Sequence, residues 1–264
     1  MRFDCATRIP AFATLCALAL PALAQTAAPP PDAKPAEPFT LTGNFGIYSQ
    51  YIFRGLTQTD RKPAFQGGFD VAHTSGFYAG TWGSNISWLH DAGVAAHDGS
   101  VEWDFYGGYK YAIDDDAAID AGVLHYYYPG TYVAGATNPD TTELYVAGAW
   151  KWLSLKYSHA VSNTFGVADS RNSRYLDLSA NYPITAQFTL NAHVGRQEYA
   201  GGSNGLDNGD TLDYTDWKLG FTWSLNGWNF GAHYTDTTAK DAGYTLAGRN
   251  IGKATGTVFV QKVF

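Results

Sequence analysis

The sequence predicts an all-β fold: a transmembrane antiparallel up-and-down β-barrel of about twelve strands, with short periplasmic turns and long extracellular loops. Three observations support this prediction. Apolar and polar residues alternate with a period of two in about twelve segments after Leu41. Short and long intervals alternate between these segments. No stretch after Leu41 contains the roughly 18 consecutive apolar residues of a membrane-spanning helix, which excludes transmembrane helices.

The composition agrees with such a barrel and excludes two other classes of protein. Of the 264 residues, 16% are aromatic and 16% are charged, whereas soluble domains have about 25% charged residues. The many bulky apolar side chains exclude a disordered chain. The net charge of -7 argues against a nucleic-acid binder, because an acidic surface repels phosphate.

Residues 1–24 have the pattern of a secretory signal peptide. Arg2 and Arg8 precede a short apolar run, Ala11 to Leu20, and Ala22-Leu23-Ala24 forms a small-x-small cleavage site. We expect this segment to be cleaved after export.

Cleavage at that site removes Cys5 and Cys16, the two cysteines of the chain. The mature chain is therefore expected to form neither a disulfide nor a thiolate metal site. Residues 25–40 are rich in Pro and Ala and are predicted to be a disordered segment. Residues 41–264 are predicted to form the barrel.

The alternation of apolar and polar residues defines the bounds of the predicted strands. In the most regular one, Val101, Trp103 and Phe105 share one face. Glu102 and Asp104 share the other. The predicted bounds are about 44–54, 64–73, 77–88, 100–111, 117–128, 142–150, 153–161, 173–182, 188–198, 213–223, 228–237 and 255–264.

The ends of these strands support a closed barrel in a membrane. An unpaired backbone amide costs several kcal/mol in hydrocarbon, so the sheet must close and leave no free edge. Asn226-Gly227 predicts a type I′ hairpin turn. Aromatic residues near strand ends fit the two interfacial girdles of a membrane barrel, namely Tyr48, Tyr51, Trp82, Trp88, Trp103, Trp217, Trp223 and Trp228. The alternative is a soluble β-sandwich or lipocalin-like barrel, which needs many more charged residues on its outer face.

Several segments of the sequence resemble the TorF family of porin-like proteobacterial outer-membrane proteins. The most distinctive are Arg-Gly-x-x-Gln-Thr-Asp at 54–60 and Trp-Gly-Ser-Asn at 82–85. The likeness extends from about residue 41 to the C-terminus, and its other segments are YIFRGLTQTDRKPAFQGGFDVAH at 51–73, YAGTWGSNISW at 78–88, EWDFYGGYKY at 102–111, TELYVAG at 142–148 and AHVGRQ at 192–197. The resemblance implies an outer-membrane β-barrel with pore activity, and it implies no particular substrate or catalytic residue. Phe264 resembles the terminal aromatic residue of outer-membrane assembly signals, although Lys262 departs from that pattern.

The polar faces of the strands are expected to line the lumen if the aromatic faces meet lipid. The predicted pore-lining residues are Arg54, Asp70, Asn85, Glu102, Asp104, Lys110, Glu143, Lys156, Asp177, Asn191, His193, Asp216 and Lys218. With Asp120 included, seven inward acids face four inward bases, which predicts a mild preference for cations. The alternative is that these groups pair with one another across the barrel and plug it.

The polar lumen and the family resemblance together predict the function. We expect a porin-like channel of the Gram-negative outer membrane that passes small hydrophilic solutes by passive diffusion. No cofactor, metal or catalytic residue is expected. The expected partners are outer-membrane lipids, the solutes and, through Phe264, the outer-membrane assembly machinery; nucleic acid is not expected.

Two alternative functions stay open from the sequence. One is a structural or adhesive barrel whose loops bind other proteins. The other is a lipid hydrolase with its active site on the lipid-facing rim, for which His125 and His159 are candidate bases. Neither histidine has a serine and an acidic residue at a recognisable spacing. In the loop at 89–99, His90-Asp91 and His97-Asp98 match no standard metal-site spacing.

Overall fold

The computed structural model describes residues 37–203 and 205–264, and its main element is a closed barrel of antiparallel strands. This confirms the predicted fold class. The predicted signal peptide and residues 25–36 of the predicted disordered segment 25–40 lie outside the described residues. The first strand begins at Phe39, two residues before the predicted start of the barrel.

We label the barrel strands β1 to β12 in chain order. Their bounds are β1 Phe39–Tyr48, β2 Ala64–His73, β3 Phe77–Asn85, β4 Val101–Ala112, β5 Ala117–Tyr127, β6 Thr141–Trp150, β7 Leu153–Ala160, β8 Arg174–Pro183, β9 Phe188–Glu198, β10 Tyr214–Leu225, β11 Trp228–Thr237 and β12 Thr255–Val263.

Each strand pairs with its neighbours in the sequence, and β12 returns to pair with β1. At this closing seam Tyr48 lies opposite Phe259. The amide of Gly43 donates to the carbonyl of Phe264 at 2.8 Å, and the amide of Phe264 donates to the carbonyl of Gly43 at 3.0 Å. The ladder therefore leaves no open sheet edge, as a strand protein in hydrocarbon requires.

Side-chain exposure along the strands is reversed relative to a soluble protein. In β2 the outward Phe65 is 54% exposed, whereas its neighbour Gln66, which points inward, is 3% exposed. The same alternation recurs around the barrel, with exposed outward side chains such as Phe45, Phe105 and Leu155. A belt of exposed apolar side chains around a polar interior is what a lipid-facing barrel needs.

Six long loops leave one rim of the barrel, and short turns leave the other. In the turn at Asn226-Gly227 the two residues have φ values of 52° and 76°, which confirms the predicted type I′ geometry. Between the strands, the loops are L1 (49–63), L2 (86–100), L3 (128–140), L4 (161–173), L5 (199–213) and L6 (238–254).

In the part of the loops that the structure describes, there are three short helices and three two-stranded hairpins. The helices are α1 Trp88–Asp91, α2 Asn208–Leu212 and α3 Asp241–Tyr244. The hairpins pair Ile52–Phe53 with Leu56–Thr57, Gly202–Ser203 with Leu206–Asp207, and Thr245–Leu246 with Arg249–Asn250. Among the described residues, no helix is long and apolar enough to cross a membrane.

The predicted bounds of the first strand, 44–54, are corrected by the structure. The strand ends at Tyr48, and residues 49–63 leave the wall as L1. Tyr51, predicted to face lipid, is 3% exposed and packs inside the barrel against Trp82 at a ring separation of 5.3 Å. Alternation alone does not separate these cases, because a hairpin inside an aromatic-rich lumen has the same period of two as a strand in the wall.

Candidate functional site

Loop L1 folds into the lumen. Its hairpin, residues 52–57, turns at Arg54 and Gly55, which have φ values of 45° and 78°. A Cβ atom added at Gly55 would lie 2.5 Å from Cγ2 of Thr237 and 2.6 Å from Cβ of Asp216. The tip of this L1 hairpin is therefore pressed against β10 and β11, and only glycine fits there.

The guanidinium group of Arg54 binds to the wall of the barrel. Nη2 donates to Oε1 and Oε2 of Glu143 at 2.9 and 2.7 Å, and Nη1 donates to Oε1 of Gln197 at 2.8 Å. Cζ lies 4.2 Å from the centre of the Tyr175 ring, a distance typical of a cation–π contact. These four residues define the Arg54 site. Because the Arg54 and Glu143 side chains are 7% and 3% exposed, the ion pair is shielded from water.

Acidic side chains surround this site in the extracellular half of the lumen. Oε1 of Glu102 accepts a hydrogen bond from the Tyr51 hydroxyl at 2.7 Å. Asp104 is 8% exposed, and its Oδ1 has no hydrogen-bond partner among the described residues. We call the group the acidic chamber; its members are Glu102, Asp104, Glu143, Asp177 and Asp216.

His193 lies between two members of the acidic chamber. Its Nδ1 is 2.6 Å from Oδ2 of Asp177, and its Nε2 contacts Oδ2 of Asp216. The Tyr175 hydroxyl donates to Oδ1 of Asp216 at 2.9 Å. An imidazole that contacts a carboxylate through each nitrogen donates through both only when it is protonated. This geometry therefore favours a cationic His193.

The extracellular half of the lumen is closed by side chains and by the L1 hairpin. One inward residue from each strand is at most 5% exposed, so no water-wide passage runs past them in the part of the chain that the structure describes. This set, the lumen ring, comprises Tyr48, Gln66, Ser84, Glu102, Tyr126, Glu143, Ser158, Tyr175, Gln197, Asp216, Thr235 and Thr257.

The periplasmic half of the lumen is less tightly filled. Lys110 points inward there, whereas Lys156 and Lys218 point inward near the middle of their strands; all three are partly exposed. The Tyr78 hydroxyl donates to Oδ1 of Asp120 at 2.7 Å. Nζ of Lys156 lies 4.1 Å from the centre of the Tyr145 ring. Lys156 lies opposite Asp177 of the acidic chamber, and Lys218 lies opposite His193, so these two bases are level with the lower part of the chamber.

The structure places most of the predicted pore-lining residues on the inward face. The side chain of Arg54 points into the lumen from the hairpin in L1, and not from a strand of the barrel wall. The other predicted residues whose side chains point inward are Asp70, Glu102, Asp104, Lys110, Glu143, Lys156, Asp177, Asn191, His193, Asp216 and Lys218; that they line a pore stays a prediction.

Asn85 is a correction to the predicted lining. It lies on the outward face, opposite Val101, and its Oδ1 accepts the amide of Phe65 at 2.7 Å. The reason is the phase of β3, in which Trp82 and Ser84 turn inward. Trp82 joins the aromatic cluster around Tyr51 and does not reach lipid.

Sequence reasoning missed the aromatic and amide members of the lumen. Tyr126, Tyr175 and Gln197 contact Arg54, yet they were not predicted as lining residues. The alternation along the strand could have identified such residues. Tyr175 has the same phase as the inward Asp177, and the intervening Leu176 is 46% exposed. Tyrosines assigned to lipid girdles by residue type alone therefore need to be checked against strand phase.

The two candidate histidines on the outer rim have no acidic partner in their described contacts. Nδ1 of His125 is 2.9 Å from the Thr142 hydroxyl, and Nδ1 of His159 is 3.2 Å from the Tyr157 hydroxyl. In L2, Asp98 accepts the amide of Thr131. Within residues 37–203 and 205–264, no group of three or more His, Cys, Asp or Glu side chains is placed to hold a metal ion.

Comparison with known proteins supports the fold. The profile of a family described as "Bacterial protein of unknown function (Gcw_chp)" matches residues 32–264. The structure of the KdgM porin is similar with 11% identity and a TM-score of 0.52, covering 84% of this chain and 99% of that one. The NanC porin is similar with 13% identity and a TM-score of 0.50, covering 85% and 98%.

A further structure is described as "KdgM porin in complex with disordered oligogalacturonate"; it is 10% identical, with a TM-score of 0.50, and 84% of this chain and 99% of that one are covered. No curated protein matches this chain significantly in sequence. The barrel of this chain therefore has the same fold as these porins. The resemblance to the TorF family stays an expectation, because the matching profile has a different description.

Proposed function

The chain belongs to the Gcw_chp family of bacterial proteins of unknown function, and on that premise we propose that it is an outer-membrane channel for passive diffusion of small hydrophilic solutes, with a preference for cations. The observation that carries the proposal is the polar, charged lumen inside an apolar outer belt. Polar and charged side chains serve no purpose against lipid, and in porins they line the path of the solute.

The preference for cations is argued from the inward charges. Fixed charges in a narrow path set the local potential and so select ions of the opposite sign. The inward arginine and lysines are Arg54, Lys110, Lys156 and Lys218, to which a cationic His193 adds a fifth positive charge, and the seven inward acids are Asp70, Glu102, Asp104, Asp120, Glu143, Asp177 and Asp216. Five of the acids, Glu102, Asp104, Glu143, Asp177 and Asp216, belong to the lumen ring or lie two residues from a member of it, where the path is narrowest.

The same charges argue against an acidic oligosaccharide as the solute of this chain. The KdgM complex contains oligogalacturonate, a polymer of sugar acids. A polyanion that entered this barrel from the loops would meet the carboxylates of Glu102, Asp104 and Glu143, and the lysines farther along its path lie beside Asp177 and His193. We therefore propose cationic and neutral solutes for this channel.

Passage requires the L1 hairpin to move, because the lumen ring and the hairpin together fill the extracellular half. Besides the Arg54 site and the fit of Gly55, the hairpin is held by Phe53, which packs against Tyr126 and Phe165, and by Leu56, which is buried in an apolar cluster with Tyr214. We propose that conduction occurs when the hairpin leaves this position.

The proposal is tested by single-channel recordings of the refolded full-length protein in planar bilayers, with the reversal potential measured across a KCl gradient. We expect discrete openings with a cation-selective reversal potential. Glu102→Gln and Asp104→Asn should each shift this potential toward zero. The matched control is Glu198→Gln, which neutralises a carboxylate near the outer rim, paired with Arg174 outside the lumen.

A folded barrel that never conducts, in the wild type and in the variants, would overturn the channel function. Selectivity unchanged by Glu102→Gln and Asp104→Asn, or changed equally by Glu198→Gln, would overturn the role of the lumen charges. Hydrolysis of phospholipid by the same preparation would instead support the enzyme alternative.

A further inference from the structure

We propose that the Arg54 site is a recognition site for solutes that carry a guanidinium group, and that Arg54 occupies it as a tethered stand-in while the hairpin is closed. The inference rests on the proposed channel function and names the class of solute that the channel selects.

The contacts around Arg54 suit a planar guanidinium group better than a primary ammonium group. Glu143 and Gln197 accept from two different nitrogens in the plane of the group, and the Tyr175 ring lies against its face. A guanidinium group is flat, delocalised and weakly hydrated, so it can donate along its edge and stack on an aromatic ring at the same time. An ammonium group has no face to stack and is more strongly hydrated.

The backbone at the hairpin tip supports a special role for this arginine. Among the described residues, five pairs of consecutive residues have positive φ at both positions: Arg54-Gly55, Asp60-Arg61, Phe165-Gly166, Asn226-Gly227 and Ala247-Gly248. Asn is favoured at the first position of such turns, whereas other residues with a Cβ atom lose about 1–2 kcal/mol in the left-handed conformation. At Arg54 this conformational cost is offset by the contacts that its side chain makes with Glu143, Gln197 and Tyr175.

Opening the hairpin leaves a site that requires a cation. Without Arg54, the buried carboxylate of Glu143 loses its ion-pair partner and faces the rest of the acidic chamber. Asp104, two residues from Glu102 on the same strand, already has an oxygen without a hydrogen-bond partner among the described residues. Removing one partner of a buried ion pair is strongly unfavourable. A solute that brings its own guanidinium group restores the contacts and so stabilises the open state.

A purely structural latch is the competing explanation for Arg54, and binding measurements separate the two. The probes are L-arginine and L-citrulline, which have the same shape but carry a guanidinium and a neutral urea group respectively. L-lysine tests for an ammonium group. In detergent-solubilised full-length Arg54→Ala, we expect calorimetry to show binding of L-arginine at least about tenfold tighter than L-citrulline, with L-lysine between them.

The site assignment is tested by further variants in the same binding assay. Adding Glu143→Gln to Arg54→Ala should abolish the difference between L-arginine and L-citrulline. Arg174→Ala is the matched control, because it removes an arginine from an ion pair on the outer face. Added to Arg54→Ala, it should leave the difference between the probes as it is in Arg54→Ala alone.

A recording on the wild type keeps the inference testable if Arg54→Ala does not fold. L-arginine added on the loop side should raise the open probability severalfold, and L-citrulline should not. Equal effects of the two probes, in binding or in open probability, would overturn the guanidinium site. If the protein conducts KCl under those conditions, the channel function stands on its own; if no variant conducts KCl, the proposed function itself fails.

Discussion

Arg54 in L1 and Glu143 in β6 are separated by 89 positions in the sequence, and Nη2 of one lies 2.7 Å from Oε2 of the other. Both side chains are buried. The pair therefore ties a loop that starts at the end of β1 to the opposite wall of the barrel. It is the electrostatic contact that holds the L1 hairpin in the position that closes the lumen.

Glu143→Gln should destabilise the closed hairpin. The substitution leaves the guanidinium group of Arg54 buried beside a neutral amide, and loss of one partner from a buried ion pair costs about 3 kcal/mol. Urea unfolding in phospholipid vesicles measures the change in the free energy of unfolding. The control Glu198→Gln breaks an exposed pair with Arg174 and should cost less than about 1 kcal/mol. Equal losses for the two variants would contradict the central role of the buried pair.

Gly55→Ala should open the channel more often. A Cβ atom there would lie 2.5 Å from Thr237 and would push the hairpin tip away from β11, besides the strain of a φ of 78°. Gly248→Ala is the matched control, because Gly248 has a φ of 81° in an equivalent turn but no neighbouring atom within 4 Å of the added Cβ. Single-channel recording gives the open probability. A similar increase in both variants would mean that backbone strain, and not the fit at β11, governs the effect.

The contact between L2 and L3 should depend on pH in the acidic range. The hydrogen bond from the amide of Thr131 to Oδ1 of Asp98, at 2.6 Å, holds the pKa of Asp98 below its ordinary value. A lowered folded-state pKa means that the contribution is present above the unfolded value of about 3.9 and is lost as the pH falls through the folded-state pKa. NMR titration of the Asp98 carboxyl measures this directly.

Exchange of the Thr131 amide provides the second readout for that contact. Protection should fall below about pH 3.9 in the wild type. In Asp98→Asn, protection should not change across the same range, because the amide side chain does not titrate. An Asp98 carboxyl that titrates at or above its ordinary pKa would contradict the prediction.

The barrel wall was predictable from sequence because the residue types of each strand differ between its lipid-facing side and its lumen-facing side. Lipid on one side and a polar lumen on the other impose an alternation that starts and stops with the strand, so β2, β9 and β11 have the bounds predicted for them. The inward direction of Glu102 and Asp104 follows from the same alternation. These features depend on residues that are near one another in the sequence.

The interior of the barrel was not predictable in the same way. Tyr51 alternates as a wall residue does, yet its apolar environment is the lumen and not lipid. The partners of Arg54 lie on β6, β8 and β9, and no local pattern specifies which distant strand a loop side chain will reach. Asn85 was misassigned because β3 places the large Trp82 inside, against the usual preference of tryptophan for the membrane interface.

The central claim, that the L1 hairpin closes the lumen, is tested most directly by removing it. The amide of Gln58 donates to the carbonyl of Tyr51 at 2.8 Å, so two glycines can replace residues 52–57 without moving the ends of the loop. In single-channel recordings we predict that this variant conducts several times more than the wild type and stays cation-selective, while the wild type is mostly closed. Equal conductance and open probability in the two proteins would contradict the account.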